Sequence, residues 1–470
     1  MTNTNELVIR GGTVVTAKTS DVVDVAIDGG KITQLGGAPT GRSEIDGAGL
    51  LVMPGGLDMH VHFTPMDVGP DFPSRPDDFQ NGSRAAAAGG VTTVGNMTHQ
   101  RHGEPLLAAL ERDRAEGEAA SIVDFVLHPV LNDPSPDVVA EILELPARGH
   151  PSLKIFMVFE DFEQRADLYL DAMTNAASSG TLVLIHCEDR AMIRTVGRRL
   201  AAAGADNAFS YGESRPIAAE VAAVERAIAF AEISGARIQV VHLSSEAALE
   251  RCIAARKRGV QVHVETRPLY LHFTKEVFGR PDAAKYIGNP PPRGSRDRDR
   301  LWAGLAAGEV DTIASDHAPW TLEQKLKSGP DLMGLLPGVA DLETMLPMLF
   351  SEGVITGRLT LNQFAAVTSA NPARLFGLSP DKGDIAVGAD ADLVLWDPDV
   401  RWVIDGGTME SGAGYSPYDG WEVQGRPRYT ISRGEIILDP SGVIGLPGHG
   451  RLAKRGPITS LHETRGGLSQ

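Results

Sequence analysis

Cysteine is nearly absent: Cys187 and Cys252 are the only two in 470 residues. Two thiols so far apart cannot build a disulfide framework, and neither has the closely spaced partner of a zinc-type cysteine motif, so a reducing compartment is expected. No run approaches the roughly eighteen apolar residues needed to span a bilayer, and the first twenty residues lack a basic stretch followed by an apolar one. These absences predict a soluble cytoplasmic protein. Positive charge is also short, with 44 Lys and Arg against 61 Asp and Glu and a net charge of −17. That balance excludes nucleic acid and anionic membrane as partners held by simple charge attraction, and favours a small neutral or modestly charged ligand. No Gly-x-Gly-x-x-Gly follows the first strand of the central region, which removes the main mark of a dinucleotide-binding open sheet.

A chain this long exceeds an ordinary single domain, so two domains or one large α/β barrel with an accessory piece is the natural expectation. Residues 5–55 read as short strands with glycine-rich turns, including the hairpin turn Asp28-Gly29-Gly30-Lys31. About fifty residues make a marginal core alone. A similar pattern returns after residue 382, in Gly383-Asp384-Ile385-Ala386-Val387-Gly388 and in residues 392–396, 429–433 and 435–438. Both ends are therefore expected to build one small β-sandwich together. Between them, apolar runs alternate with helix-like stretches at 57–63, 92–97, 121–130, 153–159, 182–187, 238–243, 260–265 and 311–315. Eight such units predict a TIM-type (β/α)8 barrel, in which functional side chains gather at the C-terminal strand ends. The expected division is 1–55 and 383–450 for the sandwich, 56–382 for the barrel and 451–470 as a tail that packs on a neighbouring subunit.

The histidine pair in Asp58-Met59-His60-Val61-His62 closes the first run, and residues i and i+2 of a strand point to one face, so both imidazoles can reach one metal ion. His-x-His arises by chance in long chains, so the pair alone is no metal site. It has company. Lys154 lies in the fourth run, His186 ends the fifth, His242 the sixth and Asp316 the eighth. Any one has an ordinary reading as a buried, hydrogen-bonded polar group; six at matching strand ends argue for a metal centre.

These motifs, from Pro54-Gly55-Gly56 through Thr368-Ser369-Ala370-Asn371-Pro372-Ala373 to Ala389-Asp390-Ala391-Asp392-Leu393, resemble the amidohydrolase superfamily. Within it, the likeness is to the cyclic-amide hydrolases: hydantoinase, dihydropyrimidinase, allantoinase and dihydroorotase. The resemblance implies two divalent metal ions, usually zinc, with His60, His62 and Asp316 on one and His186 and His242 on the other. Lys154, as a CO2-derived carbamate (N6-carboxylysine), would bridge them. That chemistry suits a lysine in such a place, since an ammonium beside two dications is repelled whereas a carbamate supplies two anionic oxygens. The implied reaction is ring opening by metal-activated hydroxide, with Asp316 as general base and then general acid. Glu188 and His317 adjoin ligands and are expected to orient them. His99, His102, His128 and His263 have no matched role and are expected to be structural. The resemblance also implies a homo-oligomer, tetramer or dimer.

Departures from the resembled families bear on the substrate. Hydantoinases and dihydropyrimidinases carry a Tyr five residues after the bridging lysine, whose hydroxyl helps hold the oxyanion, and this chain has Phe159. Dihydroorotases have Arg where this chain has Thr64, which disfavours dihydroorotate. Phe159 moves weight toward allantoinase or L-selective hydantoinases, although Glu265-Thr266-Arg267-Pro268-Leu269-Tyr270 is not the usual allantoinase sequence. Asn289, in Gly288-Asn289-Pro290-Pro291-Pro292-Arg293, and Gly338 are the expected contacts to the ring, largely through main chain. Met66, Phe72, Phe159 and Phe162 would make an apolar enclosure over the mouth. An amidohydrolase acting on another cyclic imide or a linear amide, or a non-catalytic assembly protein, are the competing readings.

Overall fold

The computed structural model describes residues 4–65, 73–327, 332 and 334–462. Its centre is a single eight-stranded parallel sheet: β1 (Gly56–Val61), β2 (Val91–His99), β3 (Asp124–Val130), β4 (Ser152–Phe156), β5 (Leu182–His186), β6 (Ile238–Val240), β7 (Val262–Thr266) and β8 (Thr312–Ile313). Each strand pairs with the next in chain order. The ring closes where Val61 bridges His317, with His62 N–H donating to the His317 carbonyl at 2.9 Å. Every residue of β1, β2 and β3 is buried, as expected of strands covered by helices outside and packed side chains inside. That is why these runs read as continuous apolar stretches rather than alternating ones.

Helices return the chain between strands, and side-chain caps start several of them. Asp78 caps Phe79–Ala88, Asp189 caps Arg190–Ala202 and Ser245 caps Glu246–Lys257, each accepting from backbone N–H groups of the first turn. The two last caps follow His186 and His242 by three residues, so the strand end, the candidate ligand and the next helix form one short unit.

The chain ends join as expected. Leu51–Pro54, the strand leading into β1, pairs antiparallel with Leu393–Val403, and this sheet also holds Thr13–Val15, Glu422–Ser432 and Glu435–Asp439. A second sheet contains Asn5–Arg10, Val25–Asp28, Lys31–Leu35 and Gly41–Asp46. The two share a core of Leu7, Ile9, Val25, Ile27, Val52, Leu393, Leu395 and Ile431. Residues 383–388 differ from the expected strand pattern: they form turns, and Ile385 is inserted into that core. No helix among the described residues is long and apolar enough to cross a membrane.

Residues 451–462 of the tail pack on their own barrel. Leu452 bridges Phe125 of β3, and the buried Arg455 donates to the Phe376 carbonyl at 2.8 Å and Ser152 Oγ at 2.9 Å. Barrel and sandwich are fastened by a buried ion cluster in which Lys382 Nζ meets Asp124 of β3 at 2.8 Å, Asp390 at 3.3 Å, and Asp392. Removing the ammonium would leave carboxylates buried together, so Lys382→Met is expected to destabilise the protein by about 3–5 kcal/mol. A large drop in the thermal midpoint checks this; an unchanged midpoint would show the cluster to be solvated.

Candidate metal centre

All six expected side chains lie at the C-terminal mouth of the barrel, and the structure brings them together. His60 and His62 point to the same face of β1 and its continuation, with both Nε2 atoms 3.3 Å from Asp316 Oδ1. Lys154 Nζ lies 3.4 Å from His60 Nε2, and His186 Nδ1 lies 3.0 Å from His242 Nε2. The His60 and His242 rings, 5.4 Å apart, connect the two groups. All six residues are buried. His242 and Asp316 hold positive φ values of 39° and 51°, a backbone conformation costly for side chains with a Cβ. Both sit at the point where a barrel strand ends, and the turn aims their side chains inward.

The electrostatics of this cluster suit a cation. Burial drives the imidazoles of His60, His62 and His242 well below the usual histidine range, and so keeps them neutral. Burial likewise pushes the Lys154 ammonium down, toward the neutral amine, and pushes the Glu265 carboxyl up. Burial would raise Asp316 too, but the Arg267 guanidinium outweighs it and holds the carboxyl below its ordinary value. Charge-assisted hydrogen bonds are usually about 2.7–2.9 Å long. The 3.3 Å separations between His60 or His62 and Asp316 are longer and leave their ligand atoms facing a common point. His60 Nδ1 is engaged by Glu265 at 2.8 Å, so Nε2 is the ring nitrogen that faces the Asp316 oxygen and a shared cation. The donor set therefore fits a divalent metal site.

Several supporting residues were not singled out in the sequence. Glu265, at the end of β7, meets His60 Nδ1 at 2.8 Å and accepts the His242 backbone N–H at 3.1 Å, so one carboxyl group holds residues of both groups. Arg267, fully buried, donates to Asp316 Oδ2 at 2.6 Å and Asp341 Oδ2 at 3.2 Å, leaving Asp316 Oδ1 to face the histidines. Asp77 meets His317 Nε2 at 2.8 Å. The period-2 pattern of β7 places Glu265 and Arg267 on one side, but no spacing says which carboxylate a barrel arginine will meet. Glu188 contacts His186: its Oε2 lies 2.9 Å from His186 Nε2 and 2.5 Å from Arg215 Nη1.

Phe159 stacks on Phe156 with ring centroids 4.8 Å apart. The Phe156 ring in turn lies 5.4 Å from His186 and 4.7 Å from Lys154 Nζ. His99 joins this wall, stacked between His62 at 5.7 Å and Phe156 at 6.1 Å. Asn289 accepts a hydrogen bond from the Tyr211 hydroxyl through its Oδ1. Gly338 has φ 132°, and a Cβ there would lie 2.1 Å from the Ala318 carbonyl oxygen, so the position demands glycine. Its N–H donates to Ile287 and its carbonyl accepts from Lys325. Thr64 is buried and bonds Met97 and Asn96. Phe162 departs from the enclosure expected of it, being buried against Tyr169 and Phe230 in the outer core, while Met66 and Phe72 lie outside the described residues. Of the remaining histidines, His128 bonds Ser152 Oγ at 2.7 Å, His263 stacks on His462 of the tail segment, and His102 is exposed beside Asp133.

Residues 51–437 match the profile of the Amidohydrolase family. The chain is 36% identical over 456 residues to a D-hydantoinase of Rhizobium radiobacter, covering 96% of this chain and 99% of the relative. A D-phenylhydantoinase of Escherichia coli is 36% identical over 458 residues, covering 96% and 98%. Among solved structures, one of D-hydantoinase superimposes with a TM-score of 0.93 at 36% identity, covering 96% of this chain and 99% of the other. The dihydropyrimidinase of Brevibacillus agri NCHU1002 gives 0.91 at 33% identity, covering 96% and 99%. The chain belongs to the amidohydrolase family, and its barrel and buried His/Asp cluster are of the hydantoinase and dihydropyrimidinase kind.

Glu265→Gln retains size but weakens the hold on His60 Nδ1. Residues that orient metal ligands typically contribute 10- to 100-fold in affinity. Chelator competition should therefore find Zn2+ bound about 10- to 100-fold more weakly, with the far-UV circular dichroism unchanged; unchanged affinity would remove Glu265 from the site.

Proposed function

We propose that this protein is a metal-dependent hydrolase that opens cyclic amide and ureide rings, as hydantoinases and dihydropyrimidinases do. The observation that carries this reading is the convergence of His60, His62, Lys154, His186, His242 and Asp316 at one barrel mouth. In it, His60, His62 and Asp316 would hold one divalent ion and His186 and His242 a second, and Lys154, as N6-carboxylysine, would supply anionic oxygens to both. Zinc suits the nitrogen-rich donors. When bound, such ions supply hydroxide near neutral pH and polarise the scissile carbonyl. Asp316, fixed through its other oxygen by Arg267, takes the proton of the attacking water and returns it to the departing ring nitrogen. The ring would lie between the aromatic wall of Phe159 and Phe156 and the Asn289 loop. The Asn289 main chain and the second lone pair of the Gly338 carbonyl would meet its N–H and C=O groups. The same reading carries a division into a barrel (56–382), a sandwich (1–55 and 383–450) and a tail (451–470), and a dimeric or tetrameric assembly.

A second reading has a specific observation behind it. Phe159 offers no hydroxyl, and losing one oxyanion donor costs on the order of 10²–10³ in rate. An allantoinase, or a hydrolase of another cyclic imide or of a linear amide, fits this wall without that donor.

Ring-opening assays on hydantoin, 5-substituted hydantoins of both hands, dihydrouracil, allantoin and succinimide decide between them. We expect turnover of hydantoins or dihydrouracil; turnover of allantoin or succinimide alone favours the second reading. Lys154→Ala is expected to lose metal, falling well below the two equivalents per chain expected of protein prepared with zinc and bicarbonate. Full metal content in that variant would exclude the bridging role. Asp316→Ala is expected to abolish ring opening.

A further inference from the structure

A cleft of about 950 Å3 opens on the same mouth of the barrel, between the Arg190–Ala202 helix after β5 and residues that follow β8. Its size is at the upper end of the ~300–1,000 Å3 that small-molecule sites occupy, more room than a bare five- or six-membered ring requires. One wall is apolar, formed by Leu335, Leu336 and Pro337. The facing wall is a helix in which no residue is buried, although Ile193, Gly197 and Ala201 follow one another at i, i+4 and i+8 along one face and line the cleft. A Cβ on Gly197 would meet nothing within 4 Å among the described residues.

The cleft adjoins the metal centre through two of its lining residues. Arg215 bonds Glu188, which bonds His186, and Tyr211 donates to Asn289. Its charge is distinctive. Glu188 neutralises Arg215, Lys327 pairs with Glu323, and Asp206 accepts the Leu332 N–H at 2.7 Å. Arg194 and Arg198, exposed one turn apart on the rim, form no ion pair among the described residues; Arg198 touches only the Thr195 hydroxyl, at 3.3 Å. Two guanidiniums without an ion-pair partner among the described residues, against the single Asp206 carboxylate of the lining, leave this trough net positive on a chain of net charge −17.

We propose that this cleft is a substituent site for an anionic side arm, so that the preferred cyclic amide carries an apolar linker ending in a carboxylate. The linker lies along Ile193, Gly197 and the Leu335–Leu336 wall, and the carboxylate reaches Arg194 and Arg198 at the rim. The proposal rests on the ring-opening reading and deepens it: the metal centre fixes the bond that breaks, and the cleft selects which ring is brought to it.

The test compares 5-(ω-carboxyalkyl)hydantoins of increasing length with their neutral carboxamide isosteres and with unsubstituted hydantoin. The probes are the metal-loaded wild-type enzyme and Arg194→Gln/Arg198→Gln. Two rim-exposed charge contacts predict a preference for the acid of about 3- to 10-fold in kcat/KM, carried by KM and shrinking with added salt. The double variant should lose that preference and keep its rate on unsubstituted hydantoin. Equal rates on acid and amide in the wild type would overturn the proposal, as would a variant that loses both series alike. A variant that changes the sedimenting mass without altering the preference would assign this face to contact with a second copy instead. Failure of the wild type to open any ring would remove the underlying reading, an outcome distinct from opening hydantoin without discrimination.

Discussion

Asp58 is fully buried in β1 and accepts the backbone N–H of Ser315 at 3.1 Å and that of His60 at 3.2 Å. Burial pushes its carboxyl up to about 6. This one side chain stitches the first strand to the segment after the eighth, and the barrel closes there. Without the closure His60 and His62 would have no Asp316 opposite them, because the histidines and the aspartate belong to strands more than 250 residues apart in sequence. Parallel strands need long crossovers, so the cost of bringing the two ends together is distributed over the whole barrel. The site is thus a property of the closed ring more than of any local segment.

Around that closure, burial sets the charge state of each group and a few ion pairs correct it. Left to burial alone, histidines, lysine and carboxylates would all drift to their neutral forms. Arg267 reverses this for Asp316, while Asp341, the other carboxylate it touches, stays above its ordinary value because burial prevails there. Arg215 does the same for Glu188, which burial would otherwise raise. The two arginines therefore decide which carboxylates remain anionic beside the imidazoles. Neutral imidazole nitrogens beside a carboxylate kept anionic are the donor set that a divalent ion takes.

The convergence of these six side chains was legible in the sequence because five lie at or just past a strand end, where a period-2 pattern and a chain turn announce them, and Lys154 is a lone charge inside the apolar run of β4. The eight strands were legible for a related reason: continuous apolar runs of strand length between helix-like stretches have few other readings. Boundaries were less so. The run at 238–243 shortens to Ile238–Val240, because His242 adopts positive φ and turns the chain toward the mouth. Glu265, Arg267 and Asp77 were opaque, since their roles depend on partners 205, 49 and 240 residues away that no local spacing encodes. Phe162 misled for the opposite reason: its neighbourhood in sequence is the mouth, but a helical turn carries it outward to Phe230.

The far end of the barrel shows how the mouth is held in register. Arg455, from the tail segment, is buried deeply enough that its guanidinium is pushed down to about 9, and it reaches Ser152 Oγ, which also bonds His128. Ser152 and Lys154 lie two residues apart on β4 and so point to the same face. The tail thus anchors the start of β4, two residues before Lys154, so a contact at one end of the strand supports the side chain nearer the mouth. A strand anchored by a charged hydrogen bond at its start has little freedom to slide. Sliding by a single residue would turn Lys154 from the interior to the helix side, which makes the tail, distant as it is, part of what positions the candidate metal centre.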